Sequence, residues 1–222
     1  VGGESTRPAS VYVGAAPVTA DEELRRVMPV LGRLVAGLKV PVSIDTRKAR
    51  VARDAVQAGA AMVNDVSMLG DPDMAGTVAE LDVPIVVSHT RQRAVYRDVV
   101  AEVLEDLRSA ANRAKAEGVK PGKIIVDPGI GFGKTVLHSL EMLRGVFALK
   151  SLGYPVLIGT SRKSSIGAVL NLPADERVEG TAATVALAIQ RGVDIVRVHD
   201  VKAMVRVARM SDAVVRGWRP PA

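Results

Sequence analysis

Four short segments of this 222-residue sequence gather polar side chains, three of them among glycines. "DPGIGFGKT", Asp127 to Thr135, carries glycines that let a ligand approach the backbone closely. Its Gly-x-Gly-x-Gly-Lys-Thr spacing differs from the nucleotide-binding G-x-x-x-x-G-K-[ST] loop, so a nucleoside triphosphate site is not expected. "GTSRKSS", Gly159 to Ser165, leads into a predicted helix, where backbone N–H groups, serines and Lys163 suit an anion. "RVHD" sets Arg197 and His199 two residues apart, on one side of an extended strand. A buried arginine needs an anionic partner, which makes phosphate or pyrophosphate the natural ligand and an internal ion pair the alternative. The opening "VGGESTRP" reads as a binding loop with no helical or strand period.

Asp45, Asn64 and Asp127 add two carboxylates and an amide, short groups that accept hydrogen bonds from a donor-rich edge. Lys163 supplies a donor for a ring carbonyl or nitrogen. Together these residues suit an aminated, keto-bearing heterocycle joined to phosphates.

Such residues need elements to hold them. Six apolar runs recur: "VPVSID", "AMVND", "VPIVVSH", "KIIVD", "PVLIGTS" and "DIVRVHD". They are too short for stand-alone helices, rich in Val and Ile, and nearly continuous in apolarity, as strands buried on both faces of a parallel sheet are. Stretches of helical period lie between them. Val99, Val103, Leu107, Ala110 and Ala114 define one apolar face, and Leu137, Leu140, Leu143 and Phe147 another. Gly59, Gly118, Gly153 and Gly192 fall where these helices must stop, and Thr19 or Asp21 is placed to cap a first helix.

Each run ends in a polar residue: Asp45, Asn64 with Asp65, His89, Asp127, Ser161, and His199 with Asp200. A lone aspartate at a strand end is often only a helix cap. Six polar ends in register call for one site at the carboxyl ends of the strands. The expected fold is α/β, a (β/α)8 TIM barrel, preferred over an open doubly wound sheet because no dinucleotide fingerprint follows the first strand.

Bulk properties narrow the function classes. Net charge is +6, yet the bases are scattered and aromatic residues make up only 3%, which argues against a nucleic-acid partner. With no cysteine there is no disulfide framework or thiolate metal site, which suits a cytoplasmic protein. No apolar run approaches membrane-spanning length, and no membrane partner is expected.

In this order and at these spacings, "GGESTRP", "SIDT", "ND", "DPGIGFGKT", "GTSRKS" and "RVHD" closely resemble the dihydropteroate synthases of bacterial folate synthesis, a pterin-binding enzyme family and sulfonamide target. The resemblance implies transfer of a hydroxymethyl-dihydropterin unit from its pyrophosphate to para-aminobenzoate, with both small molecules as substrates, Mg2+ as cofactor and a homodimer as assembly. It implies pterin binding by Asp45, Asn64, Asp127 and Lys163, and pyrophosphate binding by Arg197 and His199. Thr6, Arg7, Phe132, Ser161 and Ser164 would shape the para-aminobenzoate site, and Lys163, Arg197, His199 and Asp127 would carry catalysis. The family places "GGESTRP" after its second strand. Residues 1–222 are therefore expected to be a single barrel domain of about six βα units. The first two strands would lie outside this sequence, together with an "NVTPDSF"-like loop whose Asn serves the metal, so no metal ligand is expected in this chain. "SHTRQ" at Ser88–Gln92 departs from the family pattern, and His89 is given no role. Two further readings share the pterin residues: a methyl-folate:corrinoid methyltransferase, which "STRP" and "SRKS" argue against, and a non-catalytic pterin-binding protein.

Overall fold

The computed structural model describes residues 1–5 and 17–218. Thr6 and Arg7 lie outside the described residues. The chain divides into two compact units, Val1–Thr90 with Glu105–Val126, and Arg91–Leu104 with Asp127–Ala222.

The first unit is built on a four-stranded sheet, β1 (Ser43–Asp45), β2 (Met62–Asp65), β3 (Ile85–Ser88) and β4 (Ile124–Asp127), in that spatial order. β1 pairs β2 and β2 pairs β3 in parallel. Every residue of β3 and β4 is buried, as expected for apolar runs covered on both faces. Helix α1 (Ala20–Gly37) precedes β1, α2 (Ala49–Gln57) and α3 (Met74–Leu81) follow β1 and β2, and α4 (Val99–Ala116) precedes β4. Val51, Ala52 and Ala55 of α2 and Met74 and Val78 of α3 are fully or almost fully buried. Each larger aliphatic side chain so buried contributes about 1.5–3 kcal/mol relative to exposure. Val1–Glu4 runs beside β1: the Asp45 N–H donates to the Val1 carbonyl at 2.6 Å, and Gly2 forms a parallel bridge with Asp45.

The second unit holds two parallel strands of two residues each, β5 (Leu157–Ile158) and β6 (Ile195–Val196). Around them stand α5 (Val136–Gly145), prolonged by a 3-10 segment over Val146–Leu152, then α6 (Ser164–Leu170), α7 (Val178–Gln190) and α8 (Val201–Arg216). α7 and α8 pack through Val185, Ile189 and Met204.

Most of the expected punctuation is present. Gly59, Gly118, Gly153 and Gly192 all have φ between +78° and +105°, the left-handed geometry that ends a helix. Thr19 caps α1 by accepting the Glu22 N–H at 3.2 Å. The expected face of α4 is buried from Val99 to Ala114. The expected face of α5 is not: Leu137 is 75% and Phe147 60% exposed. The buried stripe is instead Ser139, Met142, Leu143, Val146 and Leu149. This helix carries apolar residues over more than half its circumference, so two overlapping stripes fit the period. The 3-10 segment then rotates the positions beyond Gly145 away from an α-helical register.

Candidate active site

In the first unit, strand register makes the site. Asp45 and Asn64 are direct partners in the β1–β2 pair. Their side chains therefore emerge side by side, and Asn64 Nδ2 donates to Asp45 Oδ2 at 2.9 Å. Asn64 is buried and Asp45 half-buried, so a carboxylate and an amide are presented together at the strand ends. The next residue, Asp65, faces the other way and is fully buried. It accepts from the Ser67 N–H at 2.8 Å, the Leu69 N–H at 2.6 Å and the Ser67 hydroxyl. Burial pushes its carboxyl up in pKa, against the pull of those hydrogen bonds. Asp65 shapes the β2–α3 turn, where Met68 and Leu69 are left-handed. His89 is also buried, with Nε2 at 3.0 Å from Asp106 Oδ2. Asp65 and His89 are thus each engaged within the fold.

A buried ionic group beside β1 escaped the sequence reading. Lys48 Nζ donates at 2.6 Å to both Glu4 Oε2 and Glu23 Oε2, and Arg47 Nη2 also reaches Glu4. Glu23 is fully buried. Burial raises the Glu4 carboxyl, but the hydrogen bonds from Lys48 and Arg47 outweigh it and hold the group below the ordinary glutamate range. Burial likewise lowers Lys48, and its two carboxylate partners reverse the sign. The available signal was the position of Glu23, in line with Val27 and Leu31 on the buried stripe of α1.

In the second unit, loops make the site. Asp127, at the end of β4, is buried and accepts the Gly129 N–H at 2.8 Å. The glycine loop that follows is tightly held. A Cβ on Gly133 would lie 2.1 Å from the Arg91 carbonyl oxygen, so only glycine fits there, at φ +58°. The Tyr96 hydroxyl donates to the Gly133 carbonyl at 2.9 Å. Lys134 turns back on its own loop, reaching the Gly129 carbonyl at 3.2 Å and the Phe132 carbonyl at 3.3 Å. That settles the superficial likeness to a nucleotide loop, since the lysine is used internally. Thr135 caps α5, where its hydroxyl accepts the His138 N–H at 3.1 Å.

Lys163 places its ammonium 4.5 Å from the centroid of the Phe132 ring, a cation–π contact joining two of the predicted motifs. Ser161 is buried, and its Oγ accepts the His199 N–H at 3.1 Å and stands 2.9 Å from His199 Nδ1. Nδ1 is thus engaged, and Nε2 is the ring nitrogen available to a ligand. The Arg197 guanidinium crosses Gly159, where a Cβ would sit 3.3 Å from Nε and Nη2. The expectation of a buried arginine is corrected: Arg197 is half-buried, and His199 and Ser164 are exposed. The cause is the shortness of β6, which ends at Val196 and leaves both side chains on the strand's continuation.

Comparison with known proteins gives one consistent answer. The family model described as "Pterin binding enzyme" matches residues 1–199. The chain is 50% identical over 216 residues to the dihydropteroate synthase of Bacillus subtilis, covering 97% of this chain and 74% of the relative. It is 47% identical to that of Clostridium beijerinckii, covering 97% and 79%. Among solved structures, the dihydropteroate synthase from Clostridium difficile in the presence of pteroic acid superimposes with a TM-score of 0.92 at 46% identity, covering 97% of this chain and 81% of that one. The Xanthomonas albilineans dihydropteroate synthase with 4-aminobenzoic acid gives 0.91 at 45% identity, covering 96% and 77%. The fold class is therefore the α/β barrel expected from the strand–helix succession, with six strands among the described residues. Sharing half its residues with one synthase over almost its entire length, the chain belongs to the pterin-binding enzyme family, among the dihydropteroate synthases.

Proposed function

We infer that this protein condenses hydroxymethyl-dihydropterin pyrophosphate with para-aminobenzoate, forming dihydropteroate and pyrophosphate in folate biosynthesis. The observation that carries the reading is Lys163 laid over Phe132 at 4.5 Å, because it joins two of the family-like motifs, "DPGIGFGKT" and "GTSRKS", in a chain 50% identical to a synthase.

In this reading Asp45, Asn64, Asp127 and Lys163 hold the pterin. The Asp45–Asn64 hydrogen bond supports it by presenting acceptors together, matched to the N–H-rich edge of such a ring. Arg197 and His199 hold the pyrophosphate. The bond between the pterin methylene carbon and the bridging oxygen breaks first, and its electron pair leaves with pyrophosphate. Fixed donors aimed at that developing charge lower the barrier by about 3 kcal/mol each. The para-aminobenzoate nitrogen then donates its lone pair to the methylene carbon and loses a proton. Phe132, Ser161 and Ser164 are assigned to this second substrate, with Thr6 and Arg7 from outside the described residues. The bond of buried Ser161 to His199 supports the pyrophosphate assignment, because it fixes the imidazole's orientation.

Mg2+ belongs to the proposal through the family resemblance alone. Among the described residues no three His, Cys, Asp or Glu side chains gather where a metal could be held. These residues do not form a metal site of their own, and no step here depends on one. A single domain and a homodimer are proposed on the same basis, and a cytoplasmic location on the absence of cysteine. Among the described residues no helix is long and apolar enough to cross a membrane. Exposed Val169 and Leu170 on α6 and Leu187 on α7 support self-association, and sedimentation as a monomer would remove the homodimer. The function is tested by incubating the protein with both substrates and Mg2+. Dihydropteroate and pyrophosphate are expected in equal amounts, with no dihydropteroate when para-aminobenzoate is omitted. Binding of the pterin without product would leave a non-catalytic protein.

A further inference from the structure

Arg162 is the point of strain in the Lys163 loop. It is a non-glycine residue at φ +56°, a conformation that persists where the surroundings over-determine it. Three anchors do so. Its N–H donates to Thr181 Oγ1 at 3.1 Å. Its guanidinium grips Asp200 in bidentate fashion, Nε to Oδ2 at 3.0 Å and Nη2 to Oδ1 at 2.6 Å. Its carbonyl accepts from Arg177 Nη1 at 3.0 Å.

Arg177 does more than hold that one carbonyl. The same Nη1 reaches the Lys163 carbonyl at 3.3 Å, and Nε donates to the Leu172 carbonyl at 2.9 Å. These acceptors flank both ends of α6, a seven-residue helix too short to be stable alone, whose N-cap residue, Lys163, makes no side-chain capping bond. To span it, the guanidinium lies across the helix at Gly167, where a Cβ would sit 2.1 Å from Nη2 and 2.3 Å from Cζ. That contact explains a buried glycine inside a helix, where glycine is otherwise unfavourable. Thr181 closes the circuit by donating its hydroxyl to the Arg177 carbonyl at 2.8 Å.

We propose that Arg177 is a positioning residue for the reaction: it fixes the left-handed turn at Arg162 and with it the direction in which Lys163 leaves the chain. On one side of that turn Ser161 meets His199, and on the other Lys163 lies over Phe132. Arg177 touches no substrate and acts through Lys163. The inference rests on the synthase reading above.

The test is steady-state turnover of wild type, Arg177→Met and Gly167→Ala, each with and without Lys163→Ala, with folding followed by circular dichroism. Arg177→Met is expected to remain folded and lose about 100-fold in kcat, the scale of a misplaced reacting group. In that background Lys163→Ala should cost roughly threefold at most, because a residue acting through Lys163 is not additive with it. Gly167→Ala, which crowds the guanidinium without altering the loop's own residues, should move kcat in the same direction by about tenfold, and Arg177→Lys should recover part of the loss. Retention of wild-type kcat, unfolding of both variants, or an undiminished cost of Lys163→Ala would overturn the proposal. Wild-type protein that makes no dihydropteroate would instead overturn the synthase reading, and this inference with it.

Discussion

The two regions that carry the candidate residues are built on different principles. In the first unit, Asp45 and Asn64 stand on adjacent strands of a four-stranded sheet, and their hydrogen bond follows from register. Shifting that register would move the whole buried face, so the pair is as well fixed as the core. In the second unit β5 and β6 are two residues long, and Phe132, Ser161 and Lys163 sit on the loops and turns beyond strand ends. Positive-φ residues, glycines in close contact and single arginines do there what sheet pairing does in the first unit. A sheet suits groups that read the edge of a flat ring. Braced turns suit groups that aim a cation or an aromatic face at a changing substrate. The cost is that each turn depends on a few side chains.

That contrast can be broken most forcefully at Gly133. Alanine there puts a Cβ 2.1 Å from the Arg91 carbonyl at a positive φ. Its expected cost is about 2–4 kcal/mol of stability, with a rise of about tenfold in the KM for para-aminobenzoate as Phe132 is displaced. Denaturant melts and initial rates check it, and a silent substitution would mean that the loop is not braced in this way. A smaller effect is expected in the sheet. Asn64→Ala removes a charge-assisted hydrogen bond and leaves the strands in place, so pterin affinity should fall by about 10- to 30-fold with little loss of stability. Calorimetry on Asn64→Ala, Asp45→Ala and the double variant should give a coupling of about 1 kcal/mol, and strict additivity would separate the two residues.

The smallest effect sharpens the contrast at the second unit's Glu102. The Arg91 guanidinium, at 2.7 Å, and then the Arg97 and Asp98 N–H groups draw its carboxyl from 4.5 down to about 2. A carboxyl with a depressed folded-state pKa stabilises fully above its ordinary value and loses that contribution as pH falls through the folded one. The melting temperature of Glu102→Gln should therefore lie slightly below wild type from pH 5 to 7, with the gap closing between 4.5 and about 2. A gap independent of pH would show that the charge is not what holds the segment.

What the sequence made legible follows the same division. Strand ends were readable because runs of Val and Ile stop at residues that no buried strand tolerates, and Asp45, Asn64 and Asp127 stand there. The Asn64–Asp45 bond was not readable, since it depends on which strands pair and in what register. Glu23 is not legible from apolar period, because a carboxylate interrupts the stripe, although its spacing to Val27 and Leu31 marks it. The buried face of α5 is not legible, because apolar residues wrap too far around the helix to define one side. Arg177 left no trace because its partners are main-chain carbonyls, which every residue supplies. Motif residues announce themselves by type, whereas the residues that aim them are visible only in three dimensions.

The central claim is that Lys163, set by its braced turn against Phe132, serves the condensation of a pterin with para-aminobenzoate. Its most direct test is the rate of dihydropteroate formation by wild type and Lys163→Ala at saturating substrates, with melting temperatures alongside. The account predicts a loss of about 100-fold or more in the variant at a nearly unchanged melting temperature. Turnover at the wild-type rate from folded Lys163→Ala would contradict it.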